Sequence, residues 1–344
     1  MITSKRPEIK HILLKNKLKV AVLGGGSWAT ALIKILIENK RNVGWYVRSE
    51  KNKNFIEKNQ NNPNYLTSTT LKTKRLKIST DMNSVVNRAD IIIVAIPSAF
   101  IIDEFAKLHI PLRDKIMVSA VKGVLPENMK IPGTYFNEDH GVPLDRIGVV
   151  CGPCHAEEVA MEKLSYLTIA CQNETYAKCI ASMLKTKYIR TTISNDIIGT
   201  EYASMLKNIY AIAAGIAHGL GYGDNFQSVL MSNAIRETKR FIKDLHKMKR
   251  NINNSAYLGD LLVTGYSVFS RNRSFGNMIG KGYTVKAAQL EMNMIAEGYY
   301  ATKSARFINS EFKTQTPIIE AVFLILYEGK RPGKVFEKLT KKLD

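Results

Sequence analysis

The sequence predicts an α/β domain built on a doubly wound, mostly parallel sheet, followed by an all-α domain. Three observations carry that prediction. Short apolar runs alternate with helical patterns through the first half of the chain, a glycine-rich turn follows the first of those runs, and beyond about Asn195 the runs give way to long helical stretches. Alternation of strand and helix is the signature of a parallel sheet wound with helices. At 344 residues the chain exceeds the size at which one core usually stops growing, so two domains are expected, over 1–194 and 195–344.

The strands are read at KVAVL (19–23), VGWYV (43–47), IIIVAI (91–96), KIMVSAV (115–121) and IGVVC (147–151), with further runs at YLTIAC and YIRTTI. Their near-continuous apolar character suits strands buried on both faces. In the second half, glycine-rich breaks are expected at GLGYGDN and at RNRSFGNMIGKG. No low-complexity segment or repeat of fixed period interrupts the pattern.

Composition narrows the function. Hydrophobic residues make up 45% of the chain and charged ones 23%, ordinary values for a globular protein with a substantial core. No apolar run approaches the roughly 18 residues of a membrane span, and AVFLILY ends too soon. The N-terminus lacks an apolar segment followed by a small-residue cleavage site, so a cytoplasmic location with four reduced cysteines is expected.

The net charge of +20 invites a nucleic-acid reading. The basic clusters at Lys5 to Lys19, Lys72 to Lys77, Lys239 to Arg250 and Lys330 to Lys342 are scattered, however, and the third alternates with Phe241, Ile242 and Leu245 as on a solvated amphipathic helix. Attraction for anionic small molecules is the better use of this charge, and no nucleic-acid partner is expected.

In VAVLGGGSWATALIKIL, Gly24, Gly26 and Ala29 form G-x-G-x-x-A between an apolar strand and an amphipathic helix. Gly24 permits the tight turn, Gly26 lets backbone approach a pyrophosphate, and Ala29 lets helix pack on strand, which makes this a dinucleotide-binding Rossmann domain. The helix N-terminus offers N–H groups and positive dipole to the phosphates. GNMIGKG has the lysine of a Walker A loop but neither its spacing nor the following Ser or Thr. The acid expected about 20 residues on, to hold the ribose hydroxyls of NAD, is not clearly present. Val47, Arg48, Ser49 and Glu50 stand there, and Arg48 can stack on adenine or meet a 2′-phosphate, so NAD against NADP stays open.

Cys151-Gly-Pro-Cys154-His155 matches the redox C-x-x-C and the haem-attaching C-x-x-C-H. Haem attachment needs export, a redox motif would open a small domain's first helix, and a zinc site needs about two more suitably spaced ligands. A turn at a strand end, facing the cofactor and holding no metal, is the better reading.

Four further segments, VSAVKG (118–123), CGPCHAEEVA (151–160), GTEYASMLKNIYAIAAG (199–215) with GLGYGDN after it, and GDLLVTGYSVFSRNRSFG (259–276), with the shorter IAEG (295–298), run in order along the chain. Together with the glycine loop this set resembles the bacterial NAD(P)-dependent glycerol-3-phosphate dehydrogenase family. The resemblance implies interconversion of sn-glycerol 3-phosphate and dihydroxyacetone phosphate by hydride transfer to or from NAD or NADP, supplying glycerol 3-phosphate for phospholipid synthesis, without a metal. A homodimer is a further expectation. A hydroxy-acid or sugar-acid dehydrogenase of similar plan, the first rival, would lack the joint KN, GDL and SRNR set, and a redox or haem protein built on CGPCH is the second.

Carried over by position, the resemblance makes Lys207 the proton acceptor, with Asn208 beside it. A lysine must be neutral to accept a proton, and burial near another cation, here Lys122, lowers its pKa. Asp260 and Thr264, four apart, share a helix face suited to the glycerol hydroxyls and the lysine. Ser270, Arg271 and Asn272 match a segment whose guanidinium suits a phosphate, and Gly152 matches a substrate contact. Ser27, Trp28, Arg48, Cys154, Ala156, Ile295 and Glu297 match cofactor contacts, joined by Lys122 and Arg271. The chain departs from the family at Cys151 and Cys154, where Ser is common, and at Asn233 and Ala234, where many members have Arg-Gly and where Arg236, one turn on, is a possible substitute.

Overall fold

The computed structural model describes residues 18–292 and 296–344. The basic N-terminal extension, with most of the first cluster, and Ile295 therefore lie outside the described residues. Among the described residues eight strands form one sheet: β1 (Val20–Leu23), β2 (Val43–Tyr46), β3 (Leu76–Ser79), β4 (Ile91–Val94), β5 (Ile116–Ser119), β6 (Ile147–Cys151), β7 (Ser165–Cys171) and β8 (Ile189–Ser194). Their spatial order is β3-β2-β1-β4-β5-β6-β7-β8, parallel throughout except for the antiparallel β6–β7 pair.

Burial on both faces explains the apolar runs. Val20 and Val22 belong to the core on one face of the sheet, while Ala21 and Leu23 belong to the core on the other. The strand order reverses beside β1, since β2 pairs on one side of it and β4 on the other. A crevice at the carboxyl ends of β1 and β4 is where doubly wound sheets bind ligands.

LKIS, which forms β3, escapes the sequence reading because it is a sheet edge of four residues with only Ile78 buried, next to the lysines taken as a basic cluster. Short edge strands of this kind carry little hydrophobic signal.

All described elements beyond Ser194 are helical. The axis of this half is α8 (Ile197–Gly219), reached after seven sheet-flanking helices: α1 (Ser27–Glu38), α2 (Glu50–Asn59), α3 (Met82–Asn87), α4 (Ile101–Phe105), α5 (Pro132–Glu138), α6 (Ala156–Ala160) and α7 (Glu174–Leu184). Nineteen of the 23 residues of α8 are buried, as expected of a helix surrounded by others. Asp196 starts it, accepting from the Gly199 N–H at 3.0 Å and pairing with Arg250. Against it pack α9 (Asp224–Leu245), α10 (Asp260–Tyr266), α11 (Arg271–Gly280), α13 (Glu297–Phe312) and α14 (Pro317–Leu326), while α12 (Val285–Glu291) packs on α11 and α15 (Pro332–Thr340) on α14.

One expectation is corrected here. RNRSFGNMIG is no loop; it is α11, and its glycines pack rather than turn. A Cβ on Gly276 would lie 2.1 Å from the Ile212 carbonyl oxygen, and one on Gly280 2.4 Å from that of Ile216. Reciprocally, a Cβ on Gly215 would lie 2.0 Å from the Arg273 carbonyl oxygen and one on Gly219 2.4 Å from that of Asn277. Two glycines one turn apart on each helix let α8 and α11 cross with their backbones in contact.

Gly276→Ala is accordingly expected to destabilise the protein by at least ~2 kcal/mol, because no flexible side chain is there to give way. Ser274→Ala, exposed on the same helix, should stay within ~0.5 kcal/mol. Denaturation midpoints of the two variants check this, and equal midpoints would refute the packing role.

Candidate active site

A cleft of about 720 Å³ runs from the turn after β1 to the helices around α8, within the usual range for a small-molecule site. At its first end Gly24 has φ +125°, and a Cβ there would sit 2.4 Å from the Ala95 carbonyl oxygen, so only glycine fits. Gly26 precedes α1 with no side-chain cap, and a Cβ on it would meet nothing within 4 Å. Open space beside an uncapped helix start suits a diphosphate. Ser27 and Trp28 line the same wall, where the Trp28 indole Nε1 is buried with no hydrogen-bond partner among the described residues and Lys122 Nζ lies 5.3 Å from the ring centroid.

After β2, Arg48 lines the cleft, its guanidinium 5.6 Å from the Phe100 ring centroid. Glu50, the nearest acid in sequence, does not line the cleft; it pairs with Lys53 at 2.7 Å and accepts from the Thr80 hydroxyl at 2.8 Å.

At the other end Lys207 and Asp260 form an ion pair at 2.5 Å, with side chains only 4% and 2% exposed. Burial pushes the Lys207 ammonium down to about 8; Asp260 opposes that shift and the charge of Lys122 adds to it. Thr264 lies one turn beyond Asp260 and its hydroxyl donates to the Asp260 carbonyl at 2.6 Å. Ser270 caps α11, accepting from the Arg273 N–H at 3.3 Å, which places Arg271 on the helix's first turn in the cleft wall.

A chain of amides joins these elements. Asn208 Nδ2 donates to the Lys122 carbonyl at 2.7 Å, Asn272 Nδ2 donates to Asn208 Oδ1 at 2.9 Å, and Asn272 Oδ1 accepts from the Gly298 N–H at 2.8 Å. Beside it the Glu297 carboxylate accepts from the Ser98 N–H at 3.2 Å and from its hydroxyl.

CGPCH forms the turn after β6, with Cys154, His155 and Ala156 facing the cleft. Burial pushes the thiol of Cys154 up to about 12 and that of Cys151 higher still, so both are protonated at neutral pH. Among the described residues no group of three or more His, Cys, Asp or Glu side chains is placed to hold a metal.

Gly24, Gly26, Ser27, Trp28, Arg48, Lys122, Cys154, Ala156, Lys207, Asn208, Asp260, Thr264, Ser270, Arg271, Asn272 and Glu297 all line this one cleft. Two expected residues stand behind its wall. Ala29 is fully buried in the helix–sheet packing, and Gly152 has φ +115° with no room for a Cβ against the Tyr166 carbonyl at 2.8 Å. Asn233 and Arg236 are turned elsewhere: both donate to Asp344 at 2.9 Å. The sequence reading missed His155, held down to about 4 by burial and by Lys122 and Lys207, and the loop residues Asn62, Asn64 and Tyr65.

Comparison with known proteins agrees with this geometry. Residues 19–177 match the family model described as NAD-dependent glycerol-3-phosphate dehydrogenase N-terminus, and residues 196–337 match that of its C-terminus. Glycerol-3-phosphate dehydrogenase [NAD(P)+] of an Exiguobacterium strain is 33% identical over 94% of this chain and 95% of its own length. That of Bacillus pumilus is 32% identical over 94% of each chain. The crystal structure of glycerol-3-phosphate dehydrogenase from Coxiella burnetii superposes with a TM-score of 0.87 at 26% identity, covering 94% of this chain and 99% of that one.

The electrostatics of the lysine are separable by mutation. Lys122→Met removes a cation that depresses Lys207 and should raise its pKa above 8, whereas Asp260→Asn removes the carboxylate that supports its charge and should lower it. NMR titration of the Lys207 side chain reads both shifts, and movement of the two variants in the same direction would contradict the assignment.

Proposed function

The chain belongs to the NAD-dependent glycerol-3-phosphate dehydrogenase family of NAD(P)-dependent oxidoreductases, and we propose that its cleft interconverts sn-glycerol 3-phosphate and dihydroxyacetone phosphate with the following division of labour. The observation that carries this reading is the buried Lys207–Asp260 pair, set between a dinucleotide loop and a helix start bearing Arg271.

Bound along the glycine loop, NAD or NADP supplies or removes the hydride. In the oxidative direction Lys207 takes the hydroxyl proton as a neutral amine, and in reduction it returns the proton as an ammonium. A pKa near 8 keeps both forms populated around neutral pH. Asp260 holds the amine in place, and Lys122 lowers its basicity and faces the reacting oxygen. Thr264 keeps an oxygen lone pair for a substrate hydroxyl, since its proton is used on Asp260.

Arg271 takes the phosphate, helped by the Ser270 hydroxyl and the positive end of α11. Asn272 has both ends of its amide engaged, so it serves the site by fixing Asn208. Arg48 in the cleft and Glu50 turned away from it suit a 2′-phosphate, which supports use of NADP beside NAD.

The product would feed phospholipid synthesis in the cytoplasm, a reading supported by the family and by the absence, among the described residues, of any helix long and apolar enough to cross a membrane. A homodimer is the assembly proposed, to be checked by sedimentation.

Incubation of the protein with dihydroxyacetone phosphate should consume NADH and NADPH, and failure with both would overturn the substrate assignment. Arg271→Ala should lower kcat/KM for dihydroxyacetone phosphate by roughly 30-fold to several thousandfold, the range that follows from ~2 to 5 kcal/mol for a truncated charge pair. Turnover of unphosphorylated dihydroxyacetone should barely change, and an equal loss with both substrates would make the arginine structural. Arg48→Ala should raise KM for NADPH more than for NADH, whereas equal losses would reduce its role to stacking on adenine.

A further inference from the structure

The loop between α2 and β3 folds back onto the dinucleotide turn through one side chain. Its ends are closed by the Leu71 N–H donating to the Gln60 carbonyl at 2.7 Å, which makes residues 60–71 a compact loop of the Ω kind. Inside it Asn62 is 2% exposed and uses its whole hydrogen-bonding capacity. Nδ2 donates to the Gly25 carbonyl at 3.0 Å and to Thr30 Oγ1 at 2.9 Å, while Oδ1 accepts from the N–H groups of Asn64 at 3.0 Å and Tyr65 at 3.2 Å. Thr30 in turn donates its hydroxyl proton to the Gly26 carbonyl at 2.9 Å.

These bonds fix the direction of two peptide planes. A trans peptide points its C=O and N–H opposite ways. With the Gly25 carbonyl turned toward Asn62, the Gly26 N–H is turned away from it; with the Gly26 carbonyl held by Thr30, the Ser27 N–H is set likewise. Those are the first N–H groups at the uncapped start of α1, on the side where Gly26 leaves the cleft open. The same asparagine orders Asn64 and Tyr65, which line the cleft from the other side of the turn.

We propose that Asn62 is a positioning residue for the cofactor: it aims the Gly26 and Ser27 amides at the pyrophosphate and locks the 60–71 loop as a third wall of the dinucleotide site. It takes no part in proton or hydride transfer, and its effect is confined to how tightly the dinucleotide is held. The inference rests on the reading of the cleft as an NAD(P) site.

Three variants separate the parts. Asn62→Asp keeps the acceptor for the loop N–H groups but loses the donors to Gly25 and Thr30; Asn62→Ala loses both sets; Thr30→Val keeps the shape of Thr30 and loses only its hydroxyl. NADH binding by fluorescence and steady-state kinetics with dihydroxyacetone phosphate are measured for each, beside the thermal midpoint. For Asn62→Asp, Kd and KM for NADH should rise about tenfold or more, the factor that ~1.4 kcal/mol of lost orientation carries. At saturating NADH, kcat and KM for dihydroxyacetone phosphate should stay within about twofold of the unmutated enzyme. Thr30→Val should move NADH affinity in the same direction by less. Unchanged NADH affinity in folded Asn62→Asp overturns the proposal whatever Asn62→Ala does, and so does a fall in kcat with NADH affinity intact. Failure of the unmutated protein to bind NADH at all would instead sink the dinucleotide reading, so the two are told apart.

Discussion

Everything in the substrate half of the cleft depends on how closely α8 and α11 approach. Gly215 and Gly219 on one helix and Gly276 and Gly280 on the other leave no room for a single Cβ between the backbones. Asn272 lies one turn before Gly276 and Asn208 two turns before Gly215, so contact at the glycines brings the two amides to 2.9 Å. Arg271 and Lys207 are the neighbours of those amides, so the packing of the two helices also sets where guanidinium and amine stand. Gly298 extends the same logic to α13, where a Cβ would sit 2.6 Å from the Asn208 carbonyl oxygen.

From that crossing a line of hydrogen bonds reaches the sheet. Asn208 donates to the main chain of Lys122, just beyond β5, and Glu297 at the start of α13 binds Ser98, just beyond β4. Each of these groups is buried or half-buried, and an unmade bond there costs ~1 to 3 kcal/mol. The two walls of the cleft are thus joined by side chains that also face its contents.

Much of this was legible in the chain. The strands on the interior of the sheet announced themselves by apolar runs, and Gly24 by the turn that only glycine makes after β1. The four-residue spacing of Asp260 and Thr264 read correctly as one helix face. What escaped has physical reasons. RNRSFGNMIG looked like a loop because glycine weakens a helix by about 1 kcal/mol when nothing packs on it, and no local pattern tells a packing glycine from a turning one. Asn62 was hidden because NNPNY carries a turn signal, and its partners Gly25 and Thr30 lie 37 and 32 residues away. His155 carries no signal of its own in CGPCH, where the spacing of the two cysteines is the recognisable feature.

The cleft holds its cations for different purposes, and their chemistry explains why they are not interchangeable. A guanidinium stays charged at any physiological pH and offers a planar fork, which makes it a firm anchor for a phosphate and a useless base. A buried lysine is the reverse. Pushed down to about 8, Lys207 spends part of its time neutral and would release an anion each time it gave up its proton. In the proposed reaction the phosphate's charge therefore has to fall on Arg271, because a dianion resting against Lys207 would raise its pKa and abolish the neutral form that accepts the proton. In that proposal the α8–α11 crossing, which places Lys207 and Arg271 on two different helices of the cleft wall, would let one substrate of three carbons meet both. Lys122 completes the arrangement: half-buried near the amine, it counters the pull of Asp260, so that the lysine is held in place by a carboxylate without being locked in its charged state.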